Sequence, residues 1–167
     1  MAPGDLTMRF SPFAAARLFA VGVTLLGPLP LSATTARADA CDDLARQLKG
    51  QIDGLSIGKT GANLITLQHP AVKRASLGCA SRNVTNEVFA ATESRKPSDA
   101  FYDFVARAAA LVFTIPRSDA LNGASRCIKR IGIFRGYTIA TRYRRLDIRC
   151  TGGKTGTTVS ISREREI

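Results

Sequence analysis

Apolar positions along this chain switch between two periods, and the switches lay out the elements. Over 41–53, Cys41, Leu44, Ala45, Leu48 and Ile52 recur at helical spacing. Asp42 and Asp43 sit in that first turn, where the partial positive charge of a helix start favours them, and Gly54 supplies a stop. The polar, glycine-bearing stretch 56–62 reads as a loop. The period then shortens to two. Ile65 and Leu67 alternate within 63–69, Ala75, Leu77 and Cys79 within 73–80, and Val88 and Ala90 within 87–92, so three short strands are predicted.

Helical spacing returns after Ser98, a residue suited to capping, and runs to about Phe113 with Phe101, Phe104, Val105, Ala108, Leu111 and Val112 as one wide stripe. Pro116 ends it. Ser118 is the predicted cap of a second helix to about Arg130, with Leu121, Ala124 and Ile128 on one side. Three more strands follow over 137–143, 145–151 and 157–163, with a turn at Gly152-Gly153 between the last two. The expected fold is α+β in the order αβββααβββ, with the helices packed on one face of an antiparallel sheet. A shift of 71 residues superimposes Leu77 on Ile148, Cys79 on Cys150 and Val88 on Val159. An internal repeat of the strand units is one reading of this match, and chance resemblance between short apolar strands is the other, since the helices do not superimpose at the same shift.

Ahead of these elements, 1–40 has the parts of a secretory leader. Arg9 and Arg17 precede a short apolar core, and small-x-small sites end at Ala38 and Ala40. Pro28 and Pro30 interrupt the core, which is too short for a membrane span. Met8 is an alternative start. The predicted organisation is a cleaved signal at 1–40 and one mature domain at 41–167, located in a bacterial periplasm or secreted. No transmembrane helix is expected in the mature chain.

All four cysteines, Cys41, Cys79, Cys127 and Cys150, fall in that mature part. In an oxidising compartment they are expected to form two disulfides. A four-cysteine zinc site needs close pairs such as C-x-x-C, which these wide spacings lack. Each half has one cysteine on a predicted helix and one on the inner face of a predicted strand, so helix-to-strand bonds Cys41–Cys79 and Cys127–Cys150 are the simplest pairing. By the loop-entropy argument each contributes roughly 3–4 kcal/mol as an upper bound. Cys41 directly after the small-residue site raises lipid anchoring, but the lipobox-like Ala38-Asp39-Ala40-Cys41 lacks its leading Leu, so acylation is the weaker reading.

Candidate chemistry is sparse. His69 is the only histidine, sits before Pro70 and has no acid near it in sequence, which points to a turn residue over a general base. Gly58-Lys59-Thr60-Gly61 and Gly153-Lys154-Thr155-Gly156 resemble phosphate loops, but the first glycine of such a loop would fall at Asp53 and Ile148, so both read as polar turns. Asp42-Asp43 and Asp99 with Asp103 lack the oxygen density a calcium site needs. No cofactor, metal or catalytic residue is expected.

Charge changes the picture more. The whole chain carries +11, and the part after Ala40 keeps +10. Between 126 and 149 lie eight basic residues against Asp147 alone. Of these, Arg135, Arg142, Arg144, Arg145 and Arg149 are the candidate anion-binding residues, because guanidinium forks hold phosphate and carboxylate in pairs of hydrogen bonds. The competing explanation is a solvated strand face whose charge blocks aggregation. Nucleic acid would suit the charge, but export makes it an unexpected partner. The expected function is a small exported, non-enzymatic domain that binds a partner protein or an anionic envelope component through the Arg-rich C-terminal strands. The alternatives are a small exported hydrolase with dispersed catalytic residues and an inhibitor of an envelope-directed enzyme.

Overall fold

The computed structural model describes residues 35–61, 63–80, 85–132 and 136–163. These form three helices and a seven-stranded sheet. In chain order they are α1 (Thr35–Gln51), β1 (Ser56–Gly61), β2 (Leu64–Gln68), β3 (Arg74–Gly78), β4 (Glu87–Thr92), α2 (Asp99–Phe113), α3 (Arg117–Lys129), β5 (Thr138–Tyr143), β6 (Leu146–Gly153) and β7 (Gly156–Arg163). The sheet runs β1-β2-β3-β4-β7-β6-β5, and every neighbouring pair is antiparallel. The α+β class holds. The order is αββββααβββ, one strand longer than expected.

That extra strand is the stretch read as a loop. Its sequence, SIGKTG, has two glycines and a single inward apolar residue, Ile57, so no period is visible. Pairing with β2 makes it a strand: Ile57 lies opposite Leu67 and Gly61 opposite Leu64, with a bulge between Ile57 and Thr60. Such a bulge twists an edge away from further pairing.

Other boundaries moved for identifiable reasons. α1 begins at Thr35 instead of residue 41, because Thr-Ala-Arg-Ala-Asp-Ala is a helix-compatible run with nothing to stop it. The expected leader boundary at Ala40 therefore falls inside this helix, and residues 1–34 of the expected leader lie outside the described residues. Ser98 caps α2 as predicted, its hydroxyl accepting from the Phe101 N–H at 3.3 Å. Ser118 does not cap α3. Pro116 takes the cap position and α3 starts at Arg117, which leaves Ser118 inside the first turn. Proline fixes φ there and lacks only an N–H that a helix start could not bond anyway. Gly152-Gly153 is not the turn but the end of β6, and Lys154-Thr155 forms the turn. Gly152 is needed where it is because a Cβ would come within 2.9 Å of the Ile131 side chain.

The core lies between the helices and one sheet face. Ile65, Leu67, Ala75, Leu77, Val88, Ala90, Ile148, Val159 and Ile161 point to it from the strands, and Leu48, Ile52, Phe101, Phe104, Val105, Ala108 and Ala124 from the helices. Burying each large aliphatic side chain contributes about 1.5–3 kcal/mol. Small residues on the helices allow close approach: a Cβ on Gly123 of α3 would come within 2.5 Å of Ile148 Cδ1. Two cysteine pairs stand at disulfide distance, Cys41 with Cys79 and Cys127 with Cys150, with Cα separations of 5.7 and 6.0 Å. This is the pairing read from helix and strand placement. Each pair ties a helix to the sheet on its own side.

The strand registers bear on the 71-residue shift. At the centre, Val88 lies opposite Ile161 and Ala90 opposite Val159, while Phe89 lies opposite Ser160. Adding 71 to one member of each pair generates the other pair, and Phe89 and Ser160 map onto each other. A local two-fold relation therefore passes through Phe89–Ser160. The shift fails one strand out: Leu77 pairs with Val88, but Val159 pairs with Cys150 and not with Ile148. The two-residue slip keeps the inward face inward, because side chains alternate with period two.

One close contact at this junction is directly testable. Gly156 has φ +127°, and a Cβ there would sit 2.0 Å from the Thr92 carbonyl oxygen and 2.9 Å from Glu93 Cα. Backbone cannot yield as a side-chain tip can. Gly156→Ala is expected to cost about 3 kcal/mol or more, whereas Gly153→Ala, with open space around it, should stay within about 0.5 kcal/mol. Urea denaturation of the two variants checks this, and equal midpoints would contradict the β4–β7 junction described here.

Candidate anion-binding surface

The sheet divides the five predicted arginines. Arg142 and Arg149 project from the uncovered face, opposite the helices. Arg142 sits directly across from Asp147 in the β5–β6 ladder and pairs with it at 3.0 Å. Arg149 lies between Ala140 and Ser160 in the same direction and is exposed, with no carboxylate within 4 Å among the described residues. Arg144 and Arg145 form the two-residue turn between β5 and β6. Arg135 lies outside the described residues. The five therefore do not form one patch.

The turn is a second centre, and it gathers residues from α3 that the strand-based reading left out. Arg126 of α3 and Arg130 at its C-terminal cap are exposed and one turn apart, while Lys129 lines the α2–α3 groove. Inward positions of β5 reach the same place. Tyr143 has the Arg126 guanidinium carbon 5.2 Å from its ring centroid and that of Arg144 at 6.0 Å. Arg130 Nη1 donates to Thr141 Oγ1 at 3.4 Å. Arg144 Nη1 also pairs with Asp119 Oδ2 at 3.1 Å. Arg126 and Arg130 thus meet Arg144 around β5 beside the turn, and Asp119 pairs with Arg144. The helical spacing of Arg126 and Arg130 was the signal that could have found them.

The turn backbone is strained. Arg144 and Arg145 have φ of 47° and 66°, both in the left-handed region. Tyr143 and Leu146 face each other across it, the geometry of a two-residue hairpin with both central residues at positive φ. Asn-Gly normally fills such a turn, and an ordinary side chain there costs roughly 1–2 kcal/mol per residue. Two arginines hold the positions instead.

The remaining candidates are structural. His69 Nε2 faces the Asp53 carbonyl oxygen at 3.0 Å, so it must carry the proton, and Nδ1 accepts the Ala71 N–H at 3.1 Å. Its ring stacks on Phe104 with centroids 4.8 Å apart. Both nitrogens are thus occupied in one neutral tautomer, leaving no lone pair to act as a base. Asp103 is held by Arg107 at 2.8 Å and by Arg117, and Asp43 by Arg46. Burial, chiefly, and the Asp99 charge raise the Tyr102 phenol above its ordinary value. Tyr102 lines the α2–α3 groove, apart from the arginine turn. Among the described residues, no group of three or more His, Cys, Asp and Glu side chains is placed to hold a metal ion. Gly58–Gly61 lies in the edge strand and Lys154-Thr155 in a hairpin turn, so neither tetrad stands between a strand and a helix as a phosphate loop does. The chain matches no protein-family model, no curated protein and no solved structure.

The role of His69 predicts a stability effect. His69→Ala removes the stack and both hydrogen bonds and should cost about 2 kcal/mol in thermal or urea denaturation. An unchanged midpoint would show that the ring does not tie the α1–β1 connection to the end of β2.

Proposed function

We propose that this chain is an exported, non-enzymatic domain of a bacterial periplasm or extracellular space, and that it binds an anionic partner at the Arg144-Arg145 turn. The partner is an acidic protein or an anionic component of the envelope. The observation that carries the reading is the strained turn: arginines occupy two left-handed positions where Asn-Gly would be more stable, and Arg126 of α3 and Arg130 at its C-terminal cap reach the Tyr143 ring and Thr141 just before it. A conformational cost kept at an exposed basic tip favours a binding role over simple solvation. Two cysteine pairs at disulfide distance suit an oxidising compartment. Among the described residues no helix is long and apolar enough to cross a membrane. A Cys41 sulfur joined to Cys79 also cannot carry a lipid thioether. The hydrolase reading loses its base, because both nitrogens of His69 are engaged.

The turn allows a test in which loss of binding cannot be loss of folding. Arg145→Gly relieves one left-handed side chain and should stabilise the domain by about 0.5–1 kcal/mol. Binding to poly-L-glutamate and to phosphatidylglycerol-containing vesicles should weaken at least three-fold in low salt, with the difference shrinking at high salt. Response to one probe only would distinguish an acidic protein from an anionic membrane surface. A stabilised variant that binds both probes as the parent does would sink the proposal.

A further inference from the structure

The face of the sheet away from the helices is the other large surface without an assigned role. Its outward positions form rows across the strands. The central row runs Ala140, Arg149, Ser160, Phe89, Ser76 and Thr66, and continues to Gly58, whose Cβ position lies 3.3 Å from Thr66 Cβ. Flanking rows add Thr138, Thr151, Thr158 and Ser162. Small hydroxyl side chains keep the surface low, and two depressions of about 600 and 570 Å³ lie along it. Phe89 lines the first, which extends to His69 and Pro70, and Ser160 lines the second, so the Phe89–Ser160 pair stands between them. Six gaps between strands make a trough roughly 29 Å across.

We infer that this trough binds a polysaccharide strand that is mostly neutral and carries occasional carboxylates. Phe89 is half-buried and offers an aromatic ring, the feature on which the C–H face of a sugar packs. The hydroxyl rows match a polyhydroxylated ligand. Arg74 and Arg149 lie on either side of Phe89, both exposed and without a carboxylate within 4 Å among the described residues, as a ligand carboxylate would require. Charge decides against a dense polyanion here. Arg74, Arg142 and Arg149 face Glu87 and Asp147 on these strands, a net of +1, while the whole chain carries +11. A peptide strand would seek free backbone groups, and those of the interior strands are spent in the ladder. A second copy packed face to face would need interdigitating apolar side chains, and on the described rows Phe89 and Leu64 are the only large ones. This inference does not rest on the arginine turn, and either can fail alone.

The test uses two hexasaccharides and the full chain. A hyaluronan hexasaccharide carries a carboxylate on every second ring, and chitohexaose, a β-1,4 N-acetylglucosamine oligomer, is a neutral comparison of the same length. Calorimetry should show hyaluronan binding more tightly than chitohexaose. Phe89→Ala should weaken both at least ten-fold. Arg149→Ala, at an exposed position that folding does not need, should weaken hyaluronan about five-fold and chitohexaose not at all. Arg145→Gly should change neither, which separates this surface from the basic turn. Parent-like binding by both Phe89→Ala and Arg149→Ala would overturn the inference, as would equal affinity for the two sugars or no binding at millimolar concentration. A dimer in sedimentation that dissociates on Phe89→Ala would also overturn it, by making the face a contact between copies.

Discussion

Everything else in the fold depends on the pairing of β4 with β7. Six residue pairs, from Glu87–Ser162 to Thr92–Thr157, join segments about seventy residues apart in the chain. Without them the molecule is two meanders, β1–β4 and β5–β7, each with its own helix and its own cysteine pair. Neither pair crosses between the halves: Cys41–Cys79 closes the first and Cys127–Cys150 the second. The halves are joined by strand hydrogen bonds and by α2, which packs against both β4 and β7. A contact between segments so distant must offset its loop-closure entropy by burial. Val88, Ala90, Val159 and Ile161, all almost wholly buried beneath the helices, supply that burial. The approach of Gly156 to Thr92 belongs to the same seam, where a side chain would push β7 off its partner.

The seam also separates the molecule's chemistry by direction. Inward side chains of the strands are mostly apolar, with Thr141 and Thr157 as exceptions, and outward ones are mostly small, hydroxyl or charged, with Leu64 and Phe89 as exceptions. The arginines of the run are divided by the turn, not by alternation: Arg142 and Arg149 both occupy outward positions of β5 and β6. Those two lie on the open face, while Arg144 and Arg145 sit in the turn. This is why a run that is strongly basic in sequence becomes two surfaces of different charge density: a nearly balanced trough and a concentrated tip.

How much of this was legible follows the same logic. Elements with a clear period were readable almost to the residue: β4 at Glu87–Thr92 and α2 with its Ser98 cap. The cysteine pairing was readable because helix and strand placement constrained it. β1 was not readable, since Ser-Ile-Gly-Lys-Thr-Gly becomes a strand through its partner and not through its own pattern. Cap and turn positions at Ser118 and Gly152 depended on a local competition with Pro116 and on a close approach by Ile131, neither of which shows in one dimension. The candidate site was half legible. Charge density marked the region, but treating five arginines as one patch ignored the turn that sets Arg144 and Arg145 apart from Arg142 and Arg149, and the candidate list left out Arg126 and Arg130 because they come from another element.

The strained turn remains the feature least explained by folding. Edge protection is the natural alternative, because β5 is an outer strand and charge on outer strands deters pairing with other chains. Yet that purpose is served along the strand itself, by Arg142, and on the opposite edge by the bulge of β1. A turn lies beyond the ladder and shields none of its free N–H and C=O groups. Stability fares no better as a reason. The Arg144–Asp119 pair is solvent-exposed on its arginine side, and such pairs contribute about 0–1 kcal/mol, less than the roughly 2–4 kcal/mol that two left-handed side chains cost together. The packing of Arg126 and Arg144 on Tyr143 adds about 0.5–1 kcal/mol per contact at an exposed site. What the two arginines do provide is a pair of guanidinium groups on a two-residue hairpin, next to Arg126 and Arg130, so the backbone that presents them to an anion is already placed by the strand ladder.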